Sequence, residues 1–287
     1  MSGLNSGQAS PSTPSIWASR QQQTDPADPL GKGLNSYNSL ERRHSVVRRD
    51  VVIVDAVRTP VGRRHGALSQ WHAVDLSAVV LKALVDRNDI DPVWVGDVIR
   101  GCVGQVGMQS ANIARMAVLA AGWPESVPGT TVDRQCGSSQ QAVHFAAAGI
   151  ASGQYDIAVA GGVELMSAVS TGAPTGTGRG DPGGPAVLAR SNGQPFNQGI
   201  GAEMLTNKWH LSRAVLDDFS AQSHAKLANA QDQQRMTSQI VPIRQPDGTS
   251  FEADECLRRG TTIEALASSN LRSSLTCDPR RERISNQ

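Results

Sequence analysis

Between Val51 and Gly162 the chain switches repeatedly between two hydrophobic rhythms, and that alternation limits the folds open to it more than any other feature. Val51-Val52-Ile53-Val54 is a β-branched run that predicts a buried strand, and Thr59-Pro60 and Gly62 break it. Leu76, Val79, Val80, Ala83 and Leu84 then recur at helical spacing, with Asp75 near the start. Val93 to Ile99 reads as a second strand that ends at Gly101. Ala111 to Ala121 reads as a helix stopped by Gly122-Trp123-Pro124. Thr130-Thr131-Val132 predicts a third strand, followed by a helix of small residues from Gly137 to Ala151. Ile157 to Ala160 predicts a fourth, closed by Gly161-Gly162. Strands that alternate with helices imply a layered α/β domain with much parallel pairing.

Outside that stretch the pattern weakens. Ser170 to Pro195 is rich in Gly, Pro and Thr and reads as a long loop. Glu203 to His210 and Arg213 to Met236 read as two largely polar helices, Ile240 to Phe251 as a hairpin around Asp247-Gly248, and Thr261 to Ala267 as a short element. Residues 268–287 are polar and Arg-rich. Residues 1–49 are rich in Ser, Gln, Gly, Asn and Pro, too polar to offset the entropy of ordering, so a disordered N-terminal extension is expected. A start codon assigned too far upstream accounts for this segment equally well.

Aromatic residues make up only 4% of the chain, so its cores are built from small aliphatic side chains, which suits close-packed α/β layers. A net charge of +1, with no long basic run, gives no footprint for nucleic acid. The basic cluster Arg42, Arg43, Arg48, Arg49 reads as a solvated boundary. No apolar run reaches the roughly 18 residues of a membrane span. Cys102, Cys136, Cys256 and Cys277 form no CxxC pair, so zinc and redox spacings are missing and free thiols in a reducing, cytoplasmic setting are expected.

Chemistry concentrates in Thr130-Thr131-Val132-Asp133-Arg134-Gln135-Cys136-Gly137-Ser138-Ser139. A cysteine between a strand and a helix, followed by Gly-Ser-Ser, has the pattern of a nucleophile elbow, in which a tight turn lifts one side chain above the sheet. The helix start offers free N–H groups and the positive end of its dipole, and both favour negative charge on sulfur. Gly137 lets a bulky thioester approach the backbone. A buried core cysteine fits the same local pattern.

Several segments, in order, resemble the thiolase family, the acetyl-CoA acetyltransferases and 3-ketoacyl-CoA thiolases. Val52-Ile53-Val54-Asp55-Ala56-Val57-Arg58-Thr59-Pro60-Val61-Gly62 resembles its opening strand and turn. Cys136-Gly137-Ser138-Ser139, with Ala142 and Val143, resembles its nucleophile motif, and Ala160-Gly161-Gly162-Val163-Glu164-Leu165-Met166-Ser167 resembles the segment after the next strand. Phe196 to Met204 and Arg258 to Leu266 resemble the entry to and exit from its loop domain. Two positions depart from the motif: Asp133 stands where Asn, Ser or Thr is usual, and Gln140 where an apolar residue is more common.

The resemblance implies a thiolase-like layered α/β/α fold, incomplete, with the N-terminal half plus the loop domain: residues 50–168 as the nucleophile domain, 169–267 as the loop domain, and 268–287 as a tail outside the family pattern. It implies ping-pong acyl transfer, with Cys136 as the acyl-thioester nucleophile, acyl-CoA as substrate, no cofactor or metal beyond the CoA carrier, and a homo-oligomer without nucleic acid or membrane partners. The family's Gly-His-Pro histidine, second catalytic cysteine and Asn-Glu segment have no match in the chain, so a truncated form, inactive alone and with an exposed sheet edge, is expected. A non-catalytic thiolase-fold module that binds acyl-CoA or a thiolase partner, and a lone reactive-thiol protein, remain alternatives. His144, eight residues beyond Cys136, lies about 12 Å away along a helix and cannot serve as its base. His65, His72, His210 and His224 show no spacing that pairs them with it. Cys102 reads as structural, and Cys256 and Cys277 as incidental. The glycines at 101, 104 and 107 and at 176, 178 and 180 have the wrong context for a dinucleotide fingerprint and read as loop residues.

Overall fold

Residues 49–175, 183–191, 193 and 197–269 are described by the computed structural model. Its principal sheet has three parallel strands, β1 (Asp97–Gly101), β2 (Gly129–Val132) and β3 (Ala158–Gly162), in the order β2-β1-β3. Register sets Gly101 opposite both Val132 and Gly162, so the three strands end level. Side chains alternate across a sheet. Val98 enters a core with Ala78, Leu81 and Val85 of helix α1 (Ala73–Asn88) and Ala117 and Val118 of α2 (Ile113–Ala120). Its neighbour Ile99 packs instead on Ala142 and Ala146 of α3 (Ser138–Ser152). Adjacent residues of one strand thus serve opposite layers, and the layered α/β domain expected from the alternation is present, with the α/β/α layering that the resemblance implies.

Local chemistry sets the ends of these elements. His72 caps α1 by accepting from the Val74 N–H, and Asp89 closes it in a left-handed conformation. Asn112 accepts from the Arg115 N–H at the start of α2, and Gly122, at φ +73°, follows its end. Gly153, at φ +76°, ends α3.

The run at Val51–Val54 overturns its expectation. The segment belongs to no strand, and Val52, Ile53 and Val54 are 74%, 78% and 73% exposed. β-Branched residues favour extended backbone, but burial has to come from neighbouring strands. Among the described residues no strand lies beside this one, and β3 is bonded only on its β1 side. The segment is held from its flanks: Arg49 pairs with Asp156, Asp55 with Arg87 and Asn88, and Arg58 bridges in parallel to Ile240.

Two smaller corrections concern helical turns. Pro92–Trp94, inside the expected second strand, is a 3-10 turn capped by Asp91, and the strand starts only at Asp97. The expected long loop holds a turn at Ala173–Thr175 and a short helix α4 (Gly184–Arg190), whose Pro185 suits a first turn. Beyond it, α5 (Gln198–Lys208) and α6 (Arg213–Asp232) start from Asn197 and Ser212 caps. The expected hairpin pairs β4 (Ile243–Arg244) with β5 (Ser250–Phe251), with Gly248 at φ +84° in its turn. Ile243 and Phe251 seat it on a cluster with Leu68, Leu76, Cys102 and Leu165. Thr262 caps α7 (Ile263–Ala267). Expectations for residues 1–48, Gly176 to Gly180, Phe196 and Asn270 onward, Cys277 included, lie outside the described residues.

Candidate functional site

Cys136 sits in the turn between the end of β2 and the start of α3, with its side chain exposed. Its φ is +59°, a left-handed conformation that a residue with a Cβ adopts only where the surroundings impose it. Those surroundings are visible. Gly137 N–H donates to the Arg134 carbonyl at 2.7 Å, and Gln141 N–H donates to the Gly137 carbonyl at 2.9 Å. Ser138 Oγ accepts from Arg134 N–H and donates to the Arg134 carbonyl, both at 3.0 Å. The tight turn between strand and helix expected from the sequence is therefore formed, and Cys136 is exposed in it and not a buried core cysteine.

The N-cap of α3 is Gly137, which has no side chain, and Ser138 in the first turn directs its hydroxyl back to Arg134, so α3 begins with no side-chain cap hydrogen bond. The first N–H groups of a helix have no intrahelical partner, so α3 brings free donors and its positive end to the Cys136 turn.

Two glycines let the helix come this close. A Cβ on Gly101, the last residue of β1, would lie 2.3 Å from Ser138 C and Ser139 N. One on Gly162, the last of β3, would lie 1.9 Å from Ser139 Oγ. The start of α3 therefore rests on the bare ends of two strands. Reading both glycines only as strand stops misses this role; the available signal is that Gly101 closes the strand beside the one leading into Cys136 and Gly162 the strand beyond it. Gly137 differs, since a Cβ there would meet nothing nearer than 3.7 Å, so the fold does not itself require glycine at that position.

Gln198, at the start of α5, was also missed. Its Nε2 lies 3.7 Å from Cys136 Sγ as a donor, and only the fold brings the two together. Asp133, one of the two motif departures, accepts from Gln135 Nε2 at 3.1 Å through both oxygens and braces the turn from outside. Gln140 is exposed on α3.

Behind the turn, Glu164 accepts from the N–H groups of Val103 and Gly104 and from Gln109 Nε2, while the fully buried Gln109 accepts from Leu165 N–H. This ties the segment after β3 to the end of β1. Cys102 is buried within that tie. Burial, then the charges of Glu164 and Asp133, push its thiol up to about 12, so it stays protonated and fits the structural role expected of it. Cys256 is exposed, 3.9 Å from the Gly62 carbonyl. His72 caps α1, His144 is exposed on α3, and His224 accepts from Arg258 N–H. Among the described residues no histidine hydrogen-bonds to Cys136 Sγ, no cluster of three His, Cys, Asp or Glu residues could hold a metal ion, and no helix is long and apolar enough to cross a membrane.

Comparison with known proteins gives a consistent result. Residues 51–273 match the family model described as "Thiolase, N-terminal domain". A steroid 3-ketoacyl-CoA thiolase of Mycobacterium tuberculosis is 43% identical over 227 residues, 77% of this chain and 55% of that protein. A 3-ketoacyl-CoA thiolase of Saccharophagus degradans is 40% identical over 78% of this chain and 57% of its own length. A β-ketoadipyl-CoA thiolase of Pseudomonas aeruginosa is 40% identical over 76% and 58%. The chain thus spans little more than half the length of these relatives.

Proposed function

From the premise that this chain belongs to the thiolase family, we propose that Cys136 is the nucleophile of an acyl-CoA C-acyltransferase and takes its acyl group from a coenzyme A thioester. The observation that carries the reading is one exposed thiol, in a left-handed turn, at the uncapped start of α3. In the first half-reaction the Cys136 sulfur attacks the thioester carbonyl carbon. A new C–S bond forms, the bond to the CoA sulfur breaks, and CoA leaves as a thiol with the proton given up by Cys136. The free N–H groups at the start of α3 supply donors for the oxyanion that forms on the way. Gly137 leaves the space beside the sulfur clear of a side chain.

The names of the three relatives share a thioester of CoA, and two of them specify a 3-ketoacyl group. We therefore take 3-ketoacyl-CoA thioesters as the substrate class, with CoA as carrier and no separate cofactor. On such a substrate the Cys136 sulfur attacks the 3-keto carbon, the C2–C3 bond breaks, and the two-carbon remainder leaves as acetyl-CoA once C2 takes up the proton given up by Cys136, so that acetoacetyl-CoA, like acetyl-CoA, leaves one acetyl group on sulfur. A second thiol or carbon nucleophile then removes the acyl group from Cys136.

Intact-mass spectrometry of the folded chain after mixing with acetyl-CoA or acetoacetyl-CoA tests the first half-reaction. A gain of one acetyl group, lost in Cys136→Ala, is the expected result. An adduct retained in Cys136→Ala, or a folded chain that binds acetyl-CoA and gains no mass, would overturn the assignment; the second outcome would favour the binding-module alternative.

A further inference from the structure

Among the described residues one side chain donates to the sulfur of Cys136. Gln198, the first residue of α5, places Nε2 3.7 Å from Sγ. Sulfur is a large, weak acceptor, so its contacts with N–H groups are long. This one joins parts of the chain 62 residues apart, the turn after β2 and the start of α5. Each end is fixed independently of the contact. The Arg134 carbonyl holds the left-handed turn by accepting from Gly137 N–H. Asn197 holds the start of α5: its Oδ1 accepts from Ile200 N–H at 3.1 Å, and its carbonyl accepts from Gly201 N–H at 2.9 Å. The Gln198 carboxamide has no other hydrogen bond among the described residues, so no competing partner draws its donor from the sulfur.

Two kinds of donor therefore meet at this turn, and they suit different atoms of the reaction. The free N–H groups at the start of α3 are backbone, and they suit the oxygen of the thioester carbonyl. Gln198 reaches the sulfur, which is the protein atom whose charge changes. Thiolate, not thiol, attacks in the first half-reaction. In the second, the bond between sulfur and the acyl carbon breaks, and its electron pair stays on Cys136. At both points the sulfur is negative, and a hydrogen bond to a charged acceptor is stronger than one to a neutral acceptor. Between them the thioester sulfur is neutral and holds the donor weakly. A carboxamide fits this task because it donates without gaining or losing a proton, whereas a carboxylate at the same place would repel the thiolate.

We propose that Gln198 is a catalytic residue, donating through Nε2 to the Cys136 thiolate before acyl transfer and again as the thiolate is released from the acyl group. This rests on the reading of Cys136 as the acyl nucleophile. It adds a side chain from α5 to a centre otherwise built from the β2–α3 turn. Gln198 and Cys136 are both exposed, so water competes for the donor, and the effect is severalfold in rate rather than orders of magnitude.

The test uses the full chain and reads two rates at Cys136. The first is alkylation by iodoacetamide, followed by peptide mass spectrometry, with the exposed Cys256 as an internal reference. Gln198→Leu keeps the bulk and removes the N–H; at pH 7 it should slow Cys136 about fivefold and leave Cys256 unchanged. Gln198→Glu, which sets a negative charge beside the sulfur, should slow it about tenfold. At about pH 10, where thiolate is abundant in either protein, wild type and Gln198→Leu should agree within about twofold. The second rate is the gain of one acetyl group from acetyl-CoA, which should fall in Gln198→Leu by a similar factor. Equal alkylation of wild type and both variants at pH 7 would overturn the proposal. So would a loss in Gln198→Leu that persists undiminished at about pH 10, because it would mark a change in access rather than a lost donor. The two readings fail separately. Should wild type and Gln198→Leu take up acetyl at one rate, Gln198 loses its role and Cys136 keeps its own. Should alkylation respond as expected while neither protein takes up acetyl, the acyl-transfer reading falls and the catalytic role of Gln198 with it.

Discussion

The two edges of the three-stranded sheet are finished in different ways. At β2, the start of α2 closes the edge with side chains. Asn112 Nδ2 donates to the Gly129 carbonyl, and Thr131 Oγ1 donates to Asn112 Oδ1 while accepting from Ala114 N–H. Arg115 reaches the carbonyls of Val127 and Glu125. At β3 the backbone faces a cleft, and the apolar segment 51–57 stands across it with Val52, Ile53 and Val54 exposed. The difference is one of sequence distance. Asn112 and Thr131 arrive with the neighbouring elements and need no remote partner, whereas among the described residues no strand pairs with the outer edge of β3. Cys136 follows β2, on the closed side, and its turn is formed by local bonds to Arg134 while the opposite edge is open.

The sharpest way to break this contrast lies where the strands end under α3. Gly101→Ala puts a methyl group 2.3 Å from the Ser138–Ser139 backbone, and it should cost about 3 kcal/mol in chemical denaturation and disorder the Cys136 turn. A pair of truncations compares the two sides directly. Leu81→Ala, in the closed core, should cost about 3 kcal/mol, while Ile53→Ala, in the open wall, should cost under about 0.5 kcal/mol. Equal costs would mean that the cleft is filled in solution. Asn112→Ala removes both the α2 cap and the edge bonds to β2, and about 1 to 2 kcal/mol should be lost, with faster amide exchange at β2.

The smallest effect concerns the anchor of the open wall. Burial raises the Asp254 carboxyl, but hydrogen bonds from Arg58 and Val61 N–H and the charge of Arg58 outweigh it, so the group is held below its ordinary 3.8. A depressed carboxyl stabilises the fold fully above the unfolded value and loses that stabilisation as pH falls through the folded one. A loss of about 1 kcal/mol between pH 5 and the acid limit is expected, and Asp254→Asn should remove that part of the acid dependence.

Much of this was legible in the residues. Small and β-branched runs alternating with helical spacing led to β1, β2, β3 and the helices between them, and Asp247-Gly248 led to the hairpin. The cysteine-elbow pattern led to a tight turn between β2 and α3 with Cys136 exposed in it. What escaped was everything that depends on two distant parts meeting. Val51–Val54 has the composition of a buried strand, yet composition does not say whether a partner strand lies alongside. Arg100 sits in an otherwise apolar strand pattern, and only the register that brings Gly161 beside it reveals where its guanidinium goes. Gln198 is one polar residue among many until α5 delivers it to the sulfur.

Hydrogen–deuterium exchange followed by mass spectrometry, comparing segments 51–57 and 129–132, tests the contrast between the edges most directly. Exchange at 51–57 within seconds, with β2 protected by orders of magnitude, is the result that an open wall and a closed edge predict. Protection at 51–57 equal to that of β2 would contradict it, because the outer segment would then be paired and the sheet complete.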